Sequence, residues 1–424
     1  MKKSFFLLLI CGILLFFNAH SQDTRGRGGY TRGTIDKNKI QTGAENMEQY
    51  LPLLKGKKVA VFANHTSLVG KTHLVDTLLK KGVNIQVIFG PEHGFRGHAD
   101  AGEQIDTYTD AATGIKVVSL YGSRKKPTKE DLQSVDVMLF DIQDVGVRFY
   151  TYISSLQYYL EAAMENNKHL IVLDRPNPNG YYIDGPVLKS TFHSFVGMQA
   201  VPVVYGMTIG EYALMLLGEE WYDPNANKWG SSEGSFELSV INCNGYNHKS
   251  NYVLPVVPSP NLPDMASIYL YPSTCFFEGT VLSEGRGTPT PFQVMGHPAL
   301  PKTMYAFTPV SRPGAKEPKL KNQICYGWNL SGTNEEVQKT VSKQIQLKWL
   351  LEAYHLFPDK AAFFLPSKSG KPEDYFFNKL AGNSELMQQI KEGKTEAQIR
   401  QSWQTDILKF KEVRKKYLLY PDFE

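Results

Sequence analysis

Short apolar runs and amphipathic segments alternate along the first half of the chain. Runs at 59–63, 85–89, 115–120, 135–140 and 170–173 have the length and continuous hydrophobicity of buried strands. Between them, 74–81, a short segment closing at 131–134 and a longer one at 150–166 carry helical spacing. Strand and helix in alternation predict crossover connections and a mostly parallel sheet. The pattern changes after Gly185. Thr208 and Glu211 have capping-box spacing for a helix running to about residue 220, and 236–241 reads as a further strand. The passage 254–272, rich in proline from Pro255 to Pro263, predicts extended chain crossing the surface. The remainder, including 348–357 and 399–417, is mostly helical. The fold class is therefore α/β: a Rossmann-like, mostly parallel sheet domain over 46–235, followed by a smaller α+β domain over 236–424 that completes the cleft.

Composition adds little to this except at the start of the chain. With 424 residues, 42% of them hydrophobic, the chain has material for two cores, and a net charge of +4 is too small to suggest a nucleic-acid partner. Arg124, Lys125 and Lys126 read as a solvated turn before Pro127. Lys2 and Lys3, an apolar run at 5–17 and Ala19-His20-Ser21 have the layout of a secretory signal peptide over 1–21. Cys11 follows Ile10, where a lipoprotein signal requires a small residue, so a secreted or periplasmic protein is expected, with no membrane association after cleavage. Residues 22–45, with Arg25-Gly26-Arg27-Gly28-Gly29, read as a flexible leader. Cys243, Cys275 and Cys325 are too few and too scattered for a zinc or disulfide framework, and leave room for one bridge.

Every predicted strand runs into a polar or glycine-bearing segment at its carboxyl end, the edge where parallel sheets bind ligands. The first gives Asn64-His65-Thr66-Ser67, and the second Gly90-Pro91-Glu92-His93-Gly94-Phe95-Arg96-Gly97. The third gives Tyr121-Gly122. The fourth gives Asp141-Ile142-Gln143-Asp144-Val145-Gly146-Val147-Arg148, and the fifth Asp174-Arg175-Pro176-Asn177. After the proline-rich passage comes a further glycine- and charge-rich loop, 277–288, with Glu278, Glu284 and Arg286. No G-x-G-x-x-G, Walker A or G-x-S-x-G pattern occurs in these loops, so no cofactor is expected. His65, Glu92, His93 and Asp141 lack metal-ligand spacing, so no metal site is expected.

Carboxylates remain, and glycoside hydrolysis needs two of them across a sugar-sized gap, with aromatic faces and guanidinium forks for the sugar. Phe149, Tyr150, Tyr152, Phe276 and Phe277 offer faces; Arg96, Arg148, Arg175 and Arg286 offer forks. Each Arg or Asp has a competing reading as an ion pair holding a loop, and for Asp174-Arg175 the two readings stand equal.

The blocks 90–97, 141–152, 174–178 and 278–288 resemble the signature blocks of the exo-β-N-acetylmuramidase family, and the resemblance spans the mature chain. It implies a glycoside hydrolase that releases terminal N-acetylmuramic acid from the non-reducing ends of peptidoglycan fragments, with its cleft between two domains and Glu92 as catalytic acid. The second catalytic group stays open between Glu278, Glu284 and the substrate's own acetamido group held by Asp141 or Asp144. Substrate contacts are expected from His65, His93, Arg96, Asp141, Gln143, Asp144, Arg148, Tyr150, Arg175, Asn177 and Arg286. Arg148 and Arg286 are assigned to the sugar's lactyl carboxylate. A binding protein for muropeptides using the same cleft, and a metal-dependent amidase or esterase with His65 and His93 as ligands, are the competing readings.

Overall fold

The computed structural model describes residues 40–92, 94–96, 106–226 and 236–424. The sequence-predicted signal peptide and His93 lie outside the described residues. Seven strands form the main sheet: β1 (Lys58–Ala63), β2 (Asn84–Gly90), β3 (Tyr108–Thr109), β4 (Lys116–Ser119), β5 (Val137–Asp141), β6 (His169–Leu173) and β7 (Leu238–Ile241). Their order is β3-β4-β2-β1-β5-β6-β7. All neighbours are parallel except the edge strand β3, which pairs antiparallel with β4.

Strand alternation sorts the sheet's side chains into two cores. Ala60, Phe62, Phe89, Met138, Phe140 and Val172 point to one face, under the helices Tyr152–Glu165 and Ile209–Gly218. Val59, Val61, Ile88, Leu139 and Ile171 point to the other, against Tyr50, Leu54, Leu74 and Leu78. With both faces covered, the strands read as continuous apolar runs, which is why they were legible. The capping box at Thr208 and Glu211 forms as its spacing predicts, each main-chain nitrogen donating to the other's side chain.

Three boundaries differ from the sequence reading. Residues 41–45, assigned to the leader, belong to the folded body: Gln41 pairs with Asn244, and Gly43–Glu45 form a short 3-10 helix with Gly43 donating to the Asp174 carbonyl. The sheet takes its last strand from β7, so the first unit extends past residue 235. The proline-rich passage is irregular only as far as Asp264, and Met265–Thr274 is helical despite Pro272. A proline there leaves the Ile268 carbonyl without its helical donor, and the Asn179 side chain supplies a replacement at 3.3 Å.

The second half packs helices around a three-stranded antiparallel sheet, β8 (Val294–His297), β9 (Tyr305–Phe307) and β10 (Cys325–Asn329), with β10 central. These strands sit in a stretch that reads as mostly helical. The last helix, Glu396–Lys415, returns to the first half, where Phe410 joins the core above the main sheet. Tyr420 then donates to Asp174 at the end of β6. Cys243, Cys275 and Cys325 are buried free thiols.

Candidate active site

Sheet order reverses at β1, between β2 and β5, and this is where an open parallel sheet leaves a crevice beyond its carboxyl ends. A cavity of about 280 Å³ lies there. Glu92 enters it from the loop after β2, Tyr121 from the loop after β4, and Phe149 to Tyr152 from the turn after β5. The second half supplies Tyr271, Glu278, Arg286 and Phe292. Its volume falls just below the roughly 300–1,000 Å³ usual for ligand sites, room for one sugar ring rather than a length of polymer.

The walls are aromatic and fixed. Tyr150 packs edge-on against Tyr152 and Tyr271, and Tyr271 against Phe292. Asn64, at the end of β1, donates to the Tyr152 hydroxyl at 2.9 Å. Tyr150 donates to Pro258 and His65 to Val257, each at 2.8 Å, and these two bonds pin the proline-rich passage over the sheet edge. Thr151 and Phe292 both hold left-handed backbone, φ 71° and 62°. For a β-branched and an aromatic residue that conformation costs about 1–3 kcal/mol, and it places both in the cavity wall.

Two carboxylates share this cavity. Tyr121 donates to Glu92; burial, and then the Glu92 carboxylate, push the phenol above its ordinary value and keep it a donor. Glu278 accepts from Arg286 at 2.7 Å. Glu284, the other candidate for the second group, is buried behind Arg286 and does not line the cavity. It lies 3.4 Å from Arg286 and 2.8 Å from Lys319. Burial alone would raise its carboxyl pKa; the two cations outweigh that and hold it below the usual carboxylate range. It is a fixed counter-ion, and Glu278 is the carboxylate that shares the cavity with Glu92.

Several sequence-predicted substrate contacts are structural instead. Arg148 is completely buried and donates to the carbonyls of Pro186, Val201 and Leu380, joining the segment after β6 to the second half. Burial pulls it down to about 9, with no carboxylate to offset it. No face of it remains for a sugar carboxylate. Arg175 forks onto Asp141 at 2.6 and 2.8 Å, both fully buried, so Arg175 holds Asp141 rather than its neighbour Asp174. Asp174 instead accepts from Thr208, Gly210 and Tyr420, anchoring a helix start. Asp144 accepts from Gly146 and Tyr205 within the core. Gln143 donates to the carbonyls of Asp144 and Pro176. Asn177 donates to Met207 and lies where any side chain at Gly146 would stand, which fixes both residues of that tight pair. Arg96 forks onto Asp110 at 3.2 and 2.9 Å with Asp76 beyond. His65 serves the proline passage, as described. Tyr150 and Arg286 are the predicted contacts that line the cavity.

The sequence reading missed Tyr121 as a site residue, along with Phe195, Tyr271 and Phe292. Tyr121 carried the same signal as Glu92, a polar residue just past a parallel strand. Phe195, in the long irregular segment after β6, had none, and neither had Tyr271 and Phe292, whose position depends on how the second half folds back; Phe276 and Phe277, expected as faces for the sugar, are fully buried and do not line the cavity. Among the described residues no group of three His, Cys, Asp or Glu side chains is placed to hold a metal.

The chain matches known proteins over nearly its whole length. Residues 59–266 match the N-terminal and 269–420 the C-terminal part of a family described as exo-beta-N-acetylmuramidase NamZ. The chain is 36% identical over 446 aligned positions to the peptidoglycan beta-N-acetylmuramidase NamZ of Bacillus subtilis (strain 168), covering 99% of this chain and all of that protein. Two crystal structures of DUF1343 family proteins from Bacteroides fragilis NCTC 9343 share the fold. One has TM-score 0.79 and 44% identity over 91% of this chain and 99% of its own; the other has 0.73 and 30% over 90% and 99%.

Proposed function

The chain belongs to the exo-β-N-acetylmuramidase family, and we propose that it is a glycoside hydrolase releasing terminal N-acetylmuramic acid from the non-reducing ends of peptidoglycan fragments. The observation that carries this reading is the placement of Glu92 and Glu278 in one small aromatic-walled cavity. Glu92 serves as general acid: its proton passes to the glycosidic oxygen as the bond to the anomeric carbon breaks, water supplies the hydroxyl that the released sugar gains, and the water's other proton returns the Glu92 carboxylate to its acid form. Glu278, held by Arg286, is the carboxylate that meets positive charge developing on the sugar ring. The aromatic walls supply apolar faces for the ring. A cavity of this size accepts a chain end and leaves no groove for a continuous glycan. The signal-like leader supports export to the compartment where peptidoglycan is found.

The test is product analysis. On fragments already cut by an endo-acting enzyme, the protein should release N-acetylmuramic acid as a monosaccharide. Release of oligosaccharides, or rapid clearing of intact cell walls by this protein alone, would overturn the exo-acting reading.

A further inference from the structure

A muramic acid residue carries a lactyl carboxylate, and three cations lie at or next to the cavity: Arg286 in its wall, Lys319 on Glu284 behind, and Lys125 against two of its rings. Arg286 already faces Glu278 and Glu284. Lys319 is bound to Glu284 and to the carbonyls of Phe277 and Thr280. These two cations and two carboxylates balance, and a third carboxylate brought to Arg286 would meet two of its own sign. Lys125 differs. Among the described residues it makes no ion pair, and its ammonium rests 3.9 Å from the ring centre of Phe195 and 5.7 Å from that of Tyr121. Both rings line the cavity, Tyr121 donates to Glu92, and Lys125 lies within the electrostatic reach of that glutamate.

We propose that Lys125 is the specificity-determining residue of this site, the cation that receives the carboxylate of the substrate's lactyl group and so selects muramic acid over sugars lacking it. The proposal rests on the function proposed above. Ring faces hold an ammonium weakly, so an arriving carboxylate exchanges a modest cation–π contact for a charge-assisted hydrogen bond. Partial burial pulls the Lys125 ammonium below its ordinary value. A cation short of water gains more from an anion than a solvated one does. Its place beside Tyr121 sets the carboxylate near the acid, where the lactyl-bearing ring must sit for its glycosidic bond to be cleaved.

The test compares kcat/KM for a chromogenic N-acetylmuramide, its lactyl methyl ester and the matching N-acetylglucosaminide, in wild type, Lys125→Met and Lys125→Arg. Wild type should prefer the free acid over the ester. Lys125→Met should lower that preference by about tenfold to a hundredfold, the worth of one charge-assisted bond, and Lys125→Arg should restore most of it. The preference of acid over glucosaminide should fall in parallel. If wild type cleaves the muramide and Lys125→Met keeps the full acid-over-ester preference, the assignment is wrong while the proposed function stands. If wild type cleaves no muramide, the proposed function fails and takes the assignment with it.

Discussion

Two regions of this molecule carry nearly the same residue types to the same sheet edge and do different work. After β5 and β6, Asp141, Asp144, Arg148, Asp174 and Arg175 are all buried, and most of their polar atoms are spent on backbone, hydroxyl or ion-pair partners. After β2 and β4, and in the 278–286 loop, Glu92, Tyr121, Glu278 and Arg286 meet across an open cavity. Arg148 and Arg286 show the contrast most plainly. The first is sealed among three carbonyls with no carboxylate; the second keeps about a quarter of its side chain exposed beside Glu278. A charged residue at a parallel sheet's carboxyl edge is therefore a binding candidate only while it has unfilled hydrogen-bonding directions facing space.

The largest expected effect separates the regions through stability. Asp141→Ala leaves the Arg175 guanidinium buried without its carboxylate, which costs about 3–5 kcal/mol. Urea unfolding should show this as a lowered midpoint; a variant as stable as wild type would mean the pair is not sealed from water. Glu92→Gln is the counterpart in the cavity. It should slow cleavage of a natural disaccharide by about 10²-fold or more, and slow a nitrophenyl glycoside, whose leaving group needs little protonation, much less. Its unfolding midpoint should stay near wild type. Equal loss on both substrates would make Glu92 a nucleophile or ligand instead of the acid.

pH sharpens the same comparison. Burial raises Asp144 and Asp174 to about 6, in each case against opposing hydrogen bonds. Because their folded-state values exceed the unfolded ones, the stability they contribute is complete below about pH 4 and is lost as pH rises through about 6. Asp144→Asn should flatten the fall in urea midpoint between pH 4 and 6, by an amount on the order of 2 kcal/mol. An unchanged slope would place the pH response elsewhere. The smallest effect is expected from Tyr121→Phe, which removes one hydrogen bond to Glu92 and nothing from the core. A loss of about 0.5–1.5 kcal/mol in transition-state stabilisation, or roughly threefold to tenfold in kcat/KM, should come with a displaced alkaline limb in the pH–rate profile, the limb set by the group that must be protonated. A profile identical to wild type would show that Tyr121 does not act through Glu92.

The sequence by itself determined the sheet, because strands buried on both faces must be continuously apolar and crossover helices must show a 3.6-residue period; β1, β2, β5 and β6 follow from that alone. It also determined that the loops at one edge would be unusually polar, and placed Glu92 among them. It did not distinguish Arg286 from Arg148 or Glu278 from Glu284, since residue type and neighbouring glycines are the same for a buried anchor and a cavity wall. That distinction depends on partners well outside each local motif: the Leu380 carbonyl, 232 residues on, that fills Arg148, and Lys319, from a later loop, which with Arg286 holds Glu284. Phe292 reaches the cavity only through a left-handed backbone that its sequence disfavours, sustained by the packing of Tyr271 against it. Local sequence fixes periodicity and turn chemistry, which are short-range. Which charge is spent and which is left facing space is a long-range outcome, decided only when segments far apart in the chain pack together.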